Sequence, residues 1–208
     1  MEEQVKIPCS NIRLAGMLEE HSLDRAVVVA HPHPLYGGNM DNPVVMQMVQ
    51  CFSEKKFTTL RFNFRGTGTS TGMFDNGDGE QDDIRACVDF LKQKGYREIW
   101  LAGYSFGSRV TAAVVSSGLE VRDHIMVSPP MGFMSFDDIL TLPSTGLILT
   151  GEGDDIAPPD MIQAKIRQWN LETQFIVLKG CDHFYSGCLV RMGKCLSDYL
   201  DQSVQESV

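Results

Sequence analysis

Ser105 stands in the pentapeptide Gly103-Tyr104-Ser105-Phe106-Gly107. Before it runs the apolar, β-forming Ile99-Trp100-Leu101-Ala102, and after it a helix-compatible stretch carries Val110, Ala113 and Val114. A G-x-S-x-G pattern between strand and helix describes a sharp turn that lifts a serine out of the backbone as a nucleophile. Gly103 and Gly107 omit the side chains that would collide around such a turn. The turn also leaves the Phe106 N–H at a helix N-terminus, where it can donate to a developing oxyanion. A serine hydroxyl is a weak nucleophile at neutral pH, so it needs an adjacent base, and the base needs an orienting acid. With this turn the partners follow in the chain order serine, acid, histidine.

Downstream of Ser105 stand two histidines, His124 and His183. His124 precedes the strand-like Ile125-Met126-Val127, which puts it at the end of a sheet opposite Ser105. His183 follows the last strand-like run, in Gly180-Cys181-Asp182-His183-Phe184, at the edge where Ser105 also belongs, and is the expected base. The acid is expected after Leu147-Ile148-Leu149-Thr150, in the turn Gly151-Glu152-Gly153-Asp154-Asp155-Ile156-Ala157-Pro158. Glu152 lies too close to the strand end. Asp154 is preferred and Asp155 stays open, because Ile156 and Pro158 suggest that Asp155 begins the exit toward the next helix. A second oxyanion donor belongs in the loop His31-Pro32-His33-Pro34-Leu35-Tyr36-Gly37-Gly38. Proline has no N–H, which leaves His33 as first choice and Leu35 as second. The His31/His33 pair lacks a carboxylate or cysteine at supporting spacing, so neither a metal nor a cofactor is expected.

The elements that must position these residues alternate strand and helix, as in βαβ units with a mostly parallel sheet. Residues 4–9 and 12–20 read as a hairpin turning near Asn11. Ala26–Ala30 is a continuous apolar run of the kind buried on both faces. Asn42-Pro43 is an N-cap with proline at the first helical position, and Val44, Val45, Met48, Val49 and Phe52 continue one apolar helix face. A strand over Thr58–Phe64 leads into the Gly/Asp/Asn/Thr-rich loop Gly66–Gly79. A helix marked by Ile84, Val88 and Leu91 follows and stops by Gly95. After the Ser105 unit come strands at His124–Val127, Gly146–Thr150 and Gln174–Leu178, with helices over about 159–169 and 186–201. Between Ser128 and Gly146 the connection is short and carries Pro129, Pro130 and Pro143, which restrict helix to a turn or two around Phe136–Leu140. Met131, Phe133, Met134 and Phe136 there either line a shallow pocket or pack inside.

Two further patterns carry no cofactor chemistry. Gly66-Thr67-Gly68-Thr69-Ser70-Thr71-Gly72 nearly matches a dinucleotide fingerprint, but its third glycine is one place late and no helix follows directly. Asp75–Asp83 places glycines at 77 and 79 where calcium ligands would fall, so it reads as a solvated loop capping the next helix. The 208 residues are expected to form a single domain, 1–208. A formal net charge of −9 argues against a nucleic-acid partner. The acidic opening Met1-Glu2-Glu3-Gln4 lacks a signal-peptide profile, and no apolar run reaches membrane-spanning length. The six scattered cysteines suit a reducing, cytoplasmic setting, with Cys188 and Cys195 sharing a helix face.

Taken together, His31-Pro32-His33-Pro34 with Gly37-Gly38, Arg61-Phe62-Asn63-Phe64-Arg65-Gly66 with Gly68 and Ser70, Gly103–Gly107, Gly151–Pro158 and Asp182-His183-Phe184 resemble the α/β-hydrolase superfamily. The chain is similar to its small lidless members described as dienelactone-hydrolase-like or serine-aminopeptidase-like. The resemblance implies an eight-stranded, mostly parallel sheet with the first pairing antiparallel, helices on both faces and little or no lid. It also implies a Ser105–His183–Asp154 triad. Dienelactone hydrolases use a cysteine where this chain has Ser105, so that particular activity does not carry over. The expected activity is a serine hydrolase cleaving small carboxylic esters through an acyl-enzyme. The alternatives are a thioesterase or short-peptide hydrolase using the same residues, or a non-catalytic binding protein on the same fold.

Overall fold

The computed structural model describes residues 1–205. Its strands are β1 (Glu3–Cys9), β2 (Ile12–Glu19), β3 (Arg25–Ala30), β4 (Thr58–Phe62), β5 (Glu98–Tyr104), β6 (Asp123–Val127), β7 (Thr145–Gly151) and β8 (Gln174–Leu178). Its helices are α1 (Pro43–Glu54), α2 (Asp78–Gln93), α3 (Phe106–Ser116), α4 (Pro159–Trp169) and α5 (Leu189–Gln205). The strands form one sheet in the order β1-β2-β4-β3-β5-β6-β7-β8. β1 pairs antiparallel with β2, and β2 with β4; every later pairing is parallel. This is the eight-stranded α/β-hydrolase architecture.

The two-sided burial of β3 follows from its continuous apolar run. Ala26, Val28 and Ala30 join the core under α2, α3 and α4, while Val27 and Val29 join the core under α1 and α5. α1 begins as its sequence dictates: Pro43 takes the first turn, and the Asn42 side chain accepts the Val44 N–H at 2.9 Å. A cap of that kind is worth about 1 kcal/mol. The Gly66–Gly79 loop does hand over to a helix cap, but the capping group is Glu80. Its carboxylate reaches back to the N–H groups of Asp75 (2.9 Å) and Gly77 (2.8 Å).

Two expectations move. The last helix begins at Leu189 and not near 186, because Tyr185 (φ 55°) and Gly187 (φ 69°) take left-handed conformations. Cys188 therefore stands just ahead of α5, its carbonyl accepting the Met192 N–H, although Cys188 and Cys195 still turn to the same core. The β6–β7 connection holds turns but no helix, including around Phe136–Leu140. Phe136, Ile139 and Leu142 anchor it in the core, and the Trp169 indole donates to the Ile139 carbonyl at 2.9 Å. With no helical cover in this connection, the carboxyl edge of the sheet is open above β3 and β5. That edge is where parallel sheets with helices on both faces hold their ligands.

Candidate active site

Ser105 sits between the end of β5 and the start of α3 with φ 53° and ψ −121°, a backbone conformation that side-chain-bearing residues rarely adopt. The close packing of its neighbours enforces this conformation. A Cβ on Gly103 would lie 2.6 Å from the Gly107 carbonyl group, and one on Gly107 would lie 2.5 Å from the Ala30 carbonyl oxygen. Strand, turn and helix therefore close on each other only with glycine at both places. Ser105 donates its backbone N–H to the Val127 carbonyl, tying the turn to the end of β6.

His183, from the loop between β8 and α5, places Nε2 2.9 Å from Ser105 Oγ. Its Nδ1 lies 2.9 Å from each carboxylate oxygen of Asp154, which arrives from the loop after β7. Asp154 is buried, and Asp155 is exposed beside it. Asp154 also accepts the N–H groups of Ile156 at 3.1 Å and Ala157 at 2.7 Å. Burial works against its charge. The bond to His183, the Ser128 hydroxyl and the Ala157 N–H outweigh that penalty and hold the carboxyl below its ordinary range. A carboxylate at Nδ1 keeps the proton on that nitrogen and leaves the Nε2 lone pair facing the hydroxyl.

The loop after β3 is organised by its two histidines in different ways. His31 is buried, and its Nε2 accepts the Phe64 N–H at 3.0 Å, which pins β3 to the end of β4. His33 caps a 3₁₀ turn over Pro34–Tyr36, its Nδ1 accepting the Leu35 N–H at 3.3 Å. That engages Leu35, whereas no hydrogen bond takes up the His33 N–H among the described residues. Phe106 opens α3, so its N–H has no acceptor inside the helix. His124 lies at the far end of β6, buried, between the hydroxyls of Thr145 (2.7 Å) and Thr111 (2.9 Å).

Ser105 and His183 open on a cavity of about 470 Å³. His33, Tyr36, Phe106, Phe133, Met134 and Phe184 line it, and among the described residues no Lys, Arg, Asp or Glu does. The four apolar residues Met131, Phe133, Met134 and Phe136 of the β6–β7 connection divide between two tasks. Phe133 and Met134 face the cavity, whereas Met131 and Phe136 pack inside. Sequence reading missed the hydroxyls that brace the site. Tyr104 donates to the His183 carbonyl at 2.9 Å, and Tyr185 and Ser128 hydrogen-bond at 2.8 Å. Thr150 donates to the Ala157 carbonyl at 2.8 Å, fixing the turn that carries Asp154. Tyr104 could have been flagged as the residue before the nucleophile. The others become visible only once the loops meet.

A family model described as an alpha/beta hydrolase domain matches residues 24–208, and the chain belongs to that family. It is similar to an alpha-beta serine hydrolase homologue from Coxiella burnetii, with 33% identity, TM-score 0.88, and coverage of 95% of this chain and 97% of that one. It is likewise similar to a serine hydrolase without a lid from Xanthomonas campestris, at 29% identity and TM-score 0.87, covering 97% and 94%. A Rickettsia prowazekii protein is 33% identical over 183 residues, 83% of this chain and 77% of the relative. The chain is thus a lidless α/β-fold hydrolase. Among the described residues no helix is long and apolar enough to cross a membrane.

Proposed function

We propose that this hydrolase cleaves small carboxylic esters through an acyl-enzyme on Ser105. The observation that carries the reading is the unbroken hydrogen-bonded chain from Ser105 Oγ through His183 to Asp154, ending at an open apolar cavity. His183 Nε2 takes the hydroxyl proton as Oγ adds to the ester carbonyl, and Asp154 stabilises the imidazolium that forms. The N–H groups of Phe106 and His33 receive the oxyanion; Leu35 is the weaker candidate because its N–H already serves His33. Collapse of the tetrahedral intermediate breaks the bond to the alkoxide, which takes the proton back from His183. Water then repeats the sequence on the acyl-enzyme and frees the acid and Ser105. Six free thiols suit work in the cytoplasm.

Thioesters and short peptides are open to the same residues, and a matched panel of ester, thioester and amide substrates with a common acyl group separates them. Ester turnover with a pre-steady-state burst, and a trapped acyl adduct on Ser105, is the expected result. Turnover of the amide alone, or no adduct with any substrate, contradicts the ester reading.

A further inference from the structure

The rings at the cavity form two walls of different kinds. On the oxyanion side His33 is the hub. Its ring centroid lies 4.8 Å from Tyr36 and 4.8 Å from Phe106, and 6.5 Å from Phe133, which in turn meets Tyr36 at 6.0 Å. Burial pushes the His33 pKa down, so at neutral pH this ring is uncharged and acts as one more aromatic surface. On the other side Phe184 stands edge-on to His183 at 5.5 Å and 89°. The outer rings are far from covered: Tyr36 is 74% exposed, Phe133 58% and Phe184 65%. Each therefore keeps exposed aromatic surface in the cavity that also holds Ser105.

The reacting geometry assigns the two walls. The leaving oxygen must face His183 Nε2 to collect its proton, so the leaving group runs past Phe184. The carbonyl oxygen turns to the N–H groups of Phe106 and His33. The acyl substituent is left to extend along His33, Tyr36 and Phe133. Building on the ester reading, we infer that the acyl half of the preferred substrate carries a neutral aromatic ring, received by the Tyr36–Phe133 pair. The Tyr36 and Phe133 rings meet at 72°, so a third ring laid against the exposed sides of both presents its edge to one and its face to the other. That arrangement favours an aromatic ring over a saturated ring of the same size. Among the described residues no cationic side chain lines the cavity, so none there holds a carboxylate on that ring.

The test compares trifluoroethyl phenylacetate with trifluoroethyl cyclohexylacetate, which share a leaving group and carbon count. kcat/KM is expected to favour the phenylacetyl ester by about five- to tenfold in the native protein. In Phe133→Leu and in Tyr36→Leu the ratio is expected to fall below about twofold, a comparison internal to each variant and independent of its overall rate. Equal or faster turnover of the cyclohexyl ester, or a ratio untouched by both substitutions, overturns the inference. Trifluoroethyl acetate keeps the two proposals apart: if neither it nor the other esters turn over, the ester reading has failed. The aromatic wall is then read from binding of phenylacetamide and cyclohexylacetamide to Ser105→Ala, where about fivefold tighter phenylacetamide supports it and equal affinity overturns it.

Discussion

His183 and His124 are both buried histidines with both ring nitrogens in hydrogen bonds, yet they stand at opposite ends of the sheet and do different things. His183 bridges a hydroxyl and a carboxylate. His124 bridges two hydroxyls, those of Thr145 and Thr111. With hydroxyls and no carboxylate on its ring nitrogens, burial drives the His124 pKa down to about 3. An imidazole so placed is a neutral brace between β6, β7 and α3. His183 has beside it the one group that makes an imidazolium tolerable in a buried place. Burial and hydrogen bonding do not distinguish a proton carrier from a structural histidine. The carboxylate does.

The largest effect should come from erasing that difference. Asp154→Asn keeps the shape of the site but removes the charge and frees Nδ1 to lose its proton, so kcat should fall by about four orders of magnitude, as in the equivalent change in a serine protease. Asp155→Asn should stay within about twofold, since the side chain is exposed. Steady-state kinetics on one ester reads both, and the reverse ranking would break the comparison.

Next in size is the behaviour of the structural histidines in acid. His31 is pushed down to about 4 and His124 to about 3, both by burial. The unfolded chain takes up these protons near pH 6.5 while the folded chain refuses them. Their contribution to stability is whole above about pH 6.5 and is lost progressively as pH falls toward 4 and 3. Asp123 opposes them in part: burial raises it to about 6, so the folded chain gains as pH falls below that value. Urea unfolding at pH 7.5 and 4.5 should show a net loss of roughly 3 kcal/mol from these three groups. A pH dependence left unchanged by both His31→Gln and His124→Gln would mean that His124 and His31 are not the neutral braces described.

A smaller effect concerns the open cavity. With no helix across it, a linear acyl chain has little surface to bury, so kcat/KM on nitrophenyl esters should peak at about two to six carbons. It should not keep rising at ~0.8 kcal/mol per methylene. A preference for about twelve carbons or more would require a cover from elsewhere. A modest effect is also expected from His33→Ala. It removes a ring and the cap on Leu35 but keeps the backbone N–H, so turnover of a small acetate ester should fall far less than the ~2.7–4 kcal/mol typical of deleting an oxyanion donor. Near-complete loss would make the ring itself a participant.

Much of this was legible in the chain. The Ala26–Ala30 run, the Asn42-Pro43 cap and the apolar spacing of the helices are local signals, and each produced its element close to where it was read. Gly103 and Gly107 also spoke locally, because close backbone approach leaves no other residue type at either place. The 3₁₀ turn at Pro34–Tyr36 was not read, since a proline-rich loop of eight residues has no periodicity to show. The late start of α5 depends on Tyr185, a residue type that gives no warning of positive φ. Its hydroxyl meets Ser128 across 57 positions of chain. Contacts of that range, like the division of Met131 and Phe136 from Phe133 and Met134, follow from how the loops assemble and leave no spacing in the sequence.

The central claim is that Ser105, activated by the carboxylate-backed His183, is the nucleophile. Fluorophosphonate labelling followed by peptide mapping tests it most directly, because it needs no knowledge of the substrate. One adduct per chain on the peptide carrying Ser105 is predicted, with none in Ser105→Ala and much slower labelling in Asp154→Asn. A native protein that stays unlabelled, or a Ser105→Ala variant that labels as fast as the native one, would contradict the account.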